Sequence, residues 1–580
     1  MTKGLVNGIS SFFSSKKILL YFFFFWLILN LLQAYFTGLF KDESYYYFYS
    51  RHLAWGYYDH PPLLALLIRS GYDIFNNELG VRLLVVLLSA FTFLILQKLV
   101  NSVHFGLVVI LFFSFPVFHI TGFMAIPDTI LVFFTVLFFL TYREFTRNRS
   151  VLNAVILGIV MAGMFYSKYL GIIIVFFTVL SDLRLLVSRK FWLSVIVTTL
   201  LFLPHLAWQY LHDFPTFYYH LLERSHDEFF NWMNFGDFLA GQVAMVNPLL
   251  FIPVIWHLFR FKPVNQYERA LKFSAAGSLL LPFLLMLRGR VEANWTIAGL
   301  VPLFIIACIA LERNAKLKSY LYYTFGISLI LILAARLMLI SQLIPEPYRD
   351  KIHIESHGWK AFAEKVSHLA GDRPVVFVSS YQNASQYRFY TGLEAFSFNS
   401  EIYRSNQYDL EGIEQGLQGR EVLIVVSGKD LTEEDILEYN LALSDSIRIP
   451  GSGYQYHMIM KDYRSYNFLP VETLIRTIEL KSGTEMVVPI RIKNPGESPV
   501  YFGGDEQHGV CIYWTLLQYG KPVSARQFED LSGFTLEKEY ITFMLLEAPP
   551  EPGTYYLRIS IKSRWLPLGI NSRIIKVKVT

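Results

Sequence analysis

The sequence predicts a polytopic α-helical membrane protein that continues into a small α/β domain and a C-terminal β-sandwich. Three observations carry this. Hydrophobic residues make up 53% of the 580-residue chain, with 51 Phe and only 17% charged residues, far from an average soluble mixture. The excess is concentrated in the first three fifths, where long apolar runs alternate with short charged connections. Beyond residue 342 the runs shorten into β-rich alternation broken by turn residues.

A helical span needs about 20 mostly apolar residues. Candidate spans run near 18–40, 79–100, 103–118, 129–142, 151–166, 169–183, 191–211, 239–259, 270–287, 295–311 and 319–341, roughly eleven in all. Alternate connections hold the bases: Lys16, Lys17, Lys98, Arg143, Arg147, Arg149, Arg189, Lys190, Arg260, Lys262, Arg313 and Lys316 fall on one side. The other side holds Asp42, Glu43, Asp59, Asp128, Asp213, Glu223, Asp237 and Glu292. By the positive-inside rule the first set is cytoplasmic and the second exported. An odd number of spans also exports the tail. The first apolar segment carries lysines and no small-residue cleavage site, so it reads as a retained span.

Pro345 and Pro347 punctuate the end of the last span. Short β-rich runs at 375–379 and 421–426 then alternate with helix-like segments near 357–370 and 432–440, an α/β pattern. From about residue 470 the strands at 486–492, 510–515, 540–544 and 554–561 suggest an immunoglobulin-like sandwich. The expected domains are therefore 1–342, membrane; 343–468, α/β; and 469–580, sandwich. Residues 381–387, rich in Tyr, Gln and Asn, read as a solvated loop after a strand. No internal repeat, low-complexity tract or nucleotide-binding glycine loop is present in the sequence. Cys308 falls in a span and Cys511 in an exported strand, so no disulfide framework is expected. The net charge of +5 comes largely from cytoplasmic loops facing anionic headgroups and does not argue for nucleic acid.

The first exported connection is the chemically richest. Asp42 and Glu43 end the first apolar run, Tyr45 to Tyr49 with Trp55, Tyr57 and Tyr58 offer ring faces for a sugar, and Asp59-His60-Pro61-Pro62 follows. The same rings would also make an interfacial aromatic belt.

Asp42-Glu43-Ser44-Tyr45-Tyr46, Gly56-Tyr57-Tyr58-Asp59-His60-Pro61-Pro62-Leu63 and Glu78-Leu79-Gly80-Val81-Arg82-Leu83 resemble the first exported loop of bacterial family-39-type glycosyltransferases. These are GT-C-fold enzymes, relatives of protein O-mannosyltransferases and of the lipid A aminoarabinose transferase. Pro127-Asp128, Ser167-Lys168-Tyr169, the segment Pro204 to Gln209, Gly241-Gln242 ahead of Pro248, and Glu292-Ala293-Asn294-Trp295 match in the same order. The resemblance covers roughly residues 15 to 340 and much less of the tail.

The resemblance implies transfer of a monosaccharide from a polyprenyl-phosphate carrier to a lipid, glycan or protein acceptor at the exported face of a bacterial inner membrane. That chemistry needs a carboxylate to accept the acceptor proton and cations to hold the leaving phosphate. Asp42 is the expected general base, with Glu43 beside it and Asp128 as a second active-site carboxylate. An aspartate at a helix start is also a cap, and the two roles are compatible. Asp59 with His226 would ligate a divalent metal ion. His60 stands where the aminoarabinose transferase has a lysine, so either metal or phosphate suits it. Lys168, Arg224, Arg288 and Arg290 are the phosphate candidates, Glu292 a partner of the arginines, and Tyr58 a sugar-facing ring. A non-catalytic protein that binds or translocates polyprenyl-linked sugar would need the same aromatics and bases. A surface-interaction protein working through its tail is a third alternative.

Overall fold

The computed structural model describes residues 17–100, 105–223, 230–287, 289–340, 343–344, 354–428, 446–449, 453–475, 477–503, 509–563 and 566–580. They form two compact units: residues 1–214 with 229–349, and residues 215–228 with 350–580.

The first unit is helical. Its elements are α1 (Lys17–Phe36), α2 (Lys41–Arg51), α3 (Leu63–Tyr72), α4 (Glu78–Val100), α5 (Phe105–Ser114), α6 (Pro116–Phe123), α7 (Pro127–Arg147) and α8 (Val151–Ser167). There follow α9 (Gly171–Ser181), α10 (Arg189–Leu211), α11 (Trp232–Val246), α12 (Phe251–Arg260), α13 (Gln266–Met286), α14 (Ile297–Arg313) and α15 (Ala315–Met338). Polar residues in the connections cap the helices: Ser150 accepts from Asn153 N at 3.1 Å and Asn265 from Glu268 N at 2.8 Å, satisfying amides that the helix itself leaves open.

Among the described residues seven helices are long and apolar enough to cross a membrane, or nine when two bent pairs are counted as spans. The hydropathy pattern alone predicts roughly eleven. The difference lies in α8 and α9, which are apolar but only 17 and 11 residues long. The bent pairs are α5–α6, turned by 77° at Phe115 before Pro116, and α11–α12, turned by 88°. Asn247, at the second break, is buried and has φ +114°, a backbone region that strains any residue with a Cβ. Its side-chain amide donates to Ser114 O at 2.8 Å and to Ser328 Oγ at 2.9 Å, and its Oδ1 accepts from Leu249 N at 2.9 Å. One helix break is thus tied to the other, and backbone groups opened by the bends are satisfied inside protein. Around them Phe112 stacks on Phe118 at 4.3 Å, and Phe304 meets both edge-on.

The second unit holds an α/β layer and a sandwich. Strands β1 (Val375–Val378), β2 (Ala395–Phe398) and β3 (Val422–Ser427) are parallel in the order β2-β1-β3, and β4 (Ser446–Ile449) and β5 (Gly453–Met460) extend the sheet antiparallel. Helices α16 (Trp359–Ala370) and α17 (Tyr381–Thr391) accompany it. The expected loop at 381–387 is therefore the buried face of a helix. Ser380 caps it at Asn383 N, left-handed Gly392 ends it, and Ser385 Oγ bonds Tyr408 Oη at 3.0 Å. The helix-like segment near 432–440 lies outside the described residues.

In the sandwich, a long sheet contains β7 (Val510–Gln518), β8 (Lys521–Asp530), β10 (Gly553–Ser563) and β11 (Ile575–Val579). It faces a three-stranded sheet that contains β6 (Glu485–Lys493) and β9 (Glu539–Glu547). Alternate residues fill the space between them: Ile512, Trp514, Leu557 and Ile559 from one, Val488, Ile490, Met544 and Leu546 from the other, as two-sheet packing requires.

Candidate active site

The connection between α1 and α4 is fixed by a buried ion pair. Helix α2 starts at Lys41, so Asp42 and Glu43 occupy its first turn about 100° apart around the axis. That offset sends Asp42 outward, where it is exposed, and Glu43 inward, where it is fully buried. Glu43 Oε1 accepts from Arg82 Nε at 2.8 Å and from Ala125 N at 2.7 Å; Oε2 accepts from Phe40 N at 3.1 Å and from Arg82 Nη2. Arg82, also fully buried, donates further to the carbonyls of Ala34, Thr37 and Gly38, and its guanidinium lies over Phe123. The pair joins the end of α1, the start of α2, the middle of α4 and the approach to α7. Glu43, expected among the catalytic carboxylates, uses both oxygens on internal donors.

Ala125 stands three residues before Asp128, so the Glu43 contact also orients the start of α7. Asp128 is buried in the first turn of that helix. Lys168, at the C-terminal cap of α8, reaches it with Nζ 2.7 and 2.8 Å from the two carboxylate oxygens. Asn294 donates its amide to Asp128 Oδ2 at 3.3 Å from the 3-10 turn Ala293–Thr296 ahead of α14. Gln242 on α11 holds that turn, donating to Ala293 O at 3.1 Å and accepting from Thr296 Oγ1 at 2.7 Å. Gly241 permits the approach, since a Cβ there would come within 2.5 Å of the Ala293 Cβ.

A second chain of contacts leaves Lys168 through its neighbour. Tyr169 Oη lies 2.6 Å from His205 Nε2 and accepts from Gln209 Nε2 at 3.3 Å; His205 Nδ1 lies 2.6 Å from Trp55 O. A carbonyl only accepts, so Nδ1 carries a proton and the neutral ring receives the Tyr169 hydroxyl at Nε2. Gly56 lies against Trp208, whose ring would be 2.4 Å from an added Cβ. Six motifs spread over the helical unit thus close on one another.

The aromatic run packs inward. Tyr45, Tyr46, Tyr47, Phe48, Tyr49, Tyr57 and Tyr58 are all buried, while Trp55 is 58% exposed. Tyr49 stacks on Tyr57 at 4.3 Å and donates to Asp59 Oδ1; burial and then the Asp59 charge push the Tyr49 phenol well above its ordinary value. Tyr46 Oη lies 3.2 Å from His60 Nε2. The expected open stacking wall is mostly interior, because its rings close over the Asp59-His60 turn, and Tyr58 is buried with them.

Arg290 is exposed and pairs with half-exposed Glu292 at 3.2 Å. Arg224, His226 and Arg288 lie outside the described residues. Among the described residues no group of three His, Cys, Asp or Glu side chains comes together to hold a metal. Asp59, the described half of the expected ligand pair, accepts a tyrosine hydroxyl. Arg82, Asn294, Gln242, Tyr169 and His205 stand in the sequence motifs without assigned roles. The available signal is their polarity beside apolar helices, where an unsatisfied group is costly.

Comparison with known proteins shows what this arrangement resembles. Residues 59–208 match the family model of dolichyl-phosphate-mannose-protein mannosyltransferase. Over 290 residues the chain is 26% identical to the lipid A galacturonosyltransferase RgtD of Rhizobium johnstonii, covering 47% of this chain. The chain spans 60% of the length of that relative. The crystal structure of ArnT from Cupriavidus metallidurans in the apo state shares the fold, with a TM-score of 0.55 at 13% identity over 76% of this chain and 97% of that one. The solved structure shows a shared fold, and the matched family model and RgtD are glycosyltransferases by their names.

Proposed function

We propose that the protein transfers a monosaccharide from a polyprenyl-phosphate carrier to an acceptor hydroxyl or phosphate at the exported face of a bacterial inner membrane. The observation that carries this is the convergence of Asp128, Lys168 and Asn294 beside a loop that the Glu43–Arg82 pair locks to the same segment. Separation of basic from acidic connections supports the orientation.

In the proposed step the acceptor oxygen attacks the anomeric carbon while the bond from that carbon to the carrier phosphate breaks. The acceptor proton passes to Asp42, the exposed carboxylate of the α2 start, and the carrier leaves as a phosphate whose growing charge needs cations. Lys168 is held by Asp128 at a fixed position, which costs no reorganisation as charge develops. Arg224, Arg288 and Arg290 are proposed to contact the phosphate, with Glu292 orienting Arg290. Asp59 and His226 are proposed to hold a divalent ion.

Membranes containing the protein and a labelled polyprenyl-phosphate sugar should yield a labelled product, and Asp42→Asn should lower the rate by roughly 100-fold. Lipid binding without transfer in the unaltered protein would identify a binder or translocator instead.

A further inference from the structure

The end of α7 remote from Asp128 carries a second polar assembly that the transfer step does not use. Roughly 20 Å of helix separates Tyr142 from Asp128. Tyr142 is fully buried, and among the described residues its hydroxyl has no hydrogen-bond partner. Around it stand Asp182 at the end of α9, Arg149 just beyond α7, and Gln266 and Arg269 from the first turn of α13. Gln266 and Arg269 are three residues apart on one helix and so share a face.

The charges of this assembly do not cancel. Asp182 is committed: Arg184 donates to its two oxygens at 2.8 and 3.2 Å, and Gln266 donates to Oδ2. Of the other acids in these turns, Glu144 pairs with Arg143 and Arg147, and Glu268 accepts from Val264 N. Arg149 and Arg269 make no ion pair and no side-chain hydrogen bond among the described residues. Exposed Arg149 lies 5.9 Å over the ring of Phe145, and half-buried Arg269 has its Nε buried without a partner. A buried donor left unmet is costly. The spare groups here are a phenol O–H and two guanidinium forks, donors in every case. Their complement is an anion with several acceptor oxygens, and a phosphate fits arginine forks in particular.

The surroundings indicate where such a phosphate comes from. The 3-10 turn Leu183–Val187, which starts directly after Asp182, exposes Leu183, Leu186 and Val187. Trp192, also exposed, follows at the start of α10 and donates Nε1 to Leu186 O at 2.8 Å. Apolar side chains and an indole at a helix end suit the boundary between acyl chains and headgroups, where basic pockets between membrane helices take anionic lipids.

We propose that Tyr142, Arg149 and Arg269 form a binding site for the phosphate group of an anionic membrane lipid, at the end of the helical unit that carries the basic connections. The phosphate meets Arg149 and Arg269 from the surface, and the Tyr142 hydroxyl donates to it from deeper in the unit. Asp182, neutralised by Arg184, fixes the first turn of α13 through Gln266. The site is separate from the one proposed for sugar transfer and does not depend on it.

The test titrates the full-length protein, freed of lipid in a neutral detergent, with phosphatidylglycerol, and reads binding by native mass spectrometry and by thermal unfolding. Arg149→Gln and Arg269→Gln should each weaken binding by about tenfold, the scale of one charge-assisted contact, and Tyr142→Phe by about threefold. Lys316→Gln removes an exposed base from another of the basic connections and should change binding by less than about twofold. Equal weakening in Lys316→Gln would mean general attraction to a basic surface and would overturn the site. So would unchanged binding in both Arg149→Gln and Tyr142→Phe, with water alone then satisfying the phenol. Should Arg269→Gln fail to fold, those two variants decide, since one alters an exposed side chain and the other keeps its ring. Inorganic phosphate at the same concentration should neither protect the lipid-free protein nor displace phosphatidylglycerol. Protection by inorganic phosphate that is lost in Arg149→Gln would assign the site to a free ion and overturn the lipid.

Discussion

Replacing Lys168 by methionine removes the ammonium while keeping most of the side-chain length, and its cost can be worked from the site. The ammonium contacts both oxygens of Asp128 at 2.7 and 2.8 Å, and the two side chains are 10% and 3% exposed. Without it the carboxylate keeps the Asn294 amide at 3.3 Å. An isolated buried charge of this kind costs about 3–5 kcal/mol, whereas replacing both partners by neutral groups of similar volume is close to neutral. Lys168→Met should therefore destabilise the helical unit strongly, and Asp128→Asn with Lys168→Met should recover most of the loss. Transfer should stay defective in the double variant if the pair belongs to the active site. Thermal unfolding in detergent reads the first quantity and product formation from labelled donor reads the second. Recovery of both stability and transfer in the double variant would refute the catalytic role and leave the pair as scaffold. A loss below about 1 kcal/mol in Lys168→Met would mean that the pair behaves as a solvated one.

The neighbouring acids of α2 should separate cleanly. Asp42→Asn is expected to leave unfolding unchanged and slow transfer roughly 100-fold, while Glu43→Gln should lower stability by about 3–5 kcal/mol because Arg82 loses its buried counter-charge; a normal unfolding transition in Glu43→Gln would contradict the pairing. Chelator treatment and Asp59→Ala should both lower transfer if Asp59 and His226 hold a divalent ion, and full activity in chelator with no metal detected removes that proposal. In the second unit burial pushes Asp409 and Glu414 up to about 7 against the pull of their hydrogen bonds from Asn399, Asn406 and Asn467. Folded pKa values above the unfolded ones mean that the folded state binds protons more tightly. Stability of this unit should thus be greatest below about pH 4 as far as these two groups decide it. It should fall between about pH 4 and pH 7, each group contributing on the order of 1.4 kcal/mol for every pH unit crossed. Unfolding followed by tryptophan fluorescence between about pH 5 and pH 7 should show that slope, and Asp409→Asn should roughly halve it.

The membrane architecture is legible in the sequence because long apolar runs leave the chain few alternatives. The helices cover the eleven predicted segments to within a few residues, although α8 and α9 are short. What hydropathy does not carry is direction. The bend at Asn247 depends on a side chain satisfying carbonyl and hydroxyl groups on two other helices, which no local pattern contains. The same limit applies to the site. The motif order offers Asp42, Glu43, Asp128 and Lys168 as candidates, but one residue of helical phase decides that Asp42 is exposed and Glu43 internal. Lys168 lies between two short apolar runs, with nothing local to aim it at a phosphate. It reaches Asp128 because α8 ends where α7 begins its first turn. The solvated loop expected at 381–387 fails for a related reason: polar side chains on α17 bond to Tyr408 and Gln455 inside the unit rather than to water.

Buried polar groups in the helical unit also explain why its motifs are so widely spaced. Arg336 near the end of α15 is buried, donates to His119 Nδ1 at 2.9 Å and to Asn30 Oδ1 at 2.7 Å, and shares the ring of Phe123 with Arg82. Gly122 makes room for this arrangement, since a Cβ there would fall 2.7 Å from Asn30 Oδ1. Association of apolar helices in lipid lacks a hydrophobic driving force between them, so packing and polar contacts must choose the register. Asn30, His119 and Arg336 bind α1, α6 and α15; Glu43 and Arg82 bind α1, α2, α4 and the approach to α7; Asp128, Lys168 and Asn294 bind α7, α8 and the turn before α14. Each cluster draws at least one member from a distant part of the chain and so fixes helices that are not all neighbours in sequence. A reaction that requires a carboxylate, a cation and a lipid-borne phosphate to meet at one point has reason to depend on that register, and the residues that set it lie next to those proposed to react.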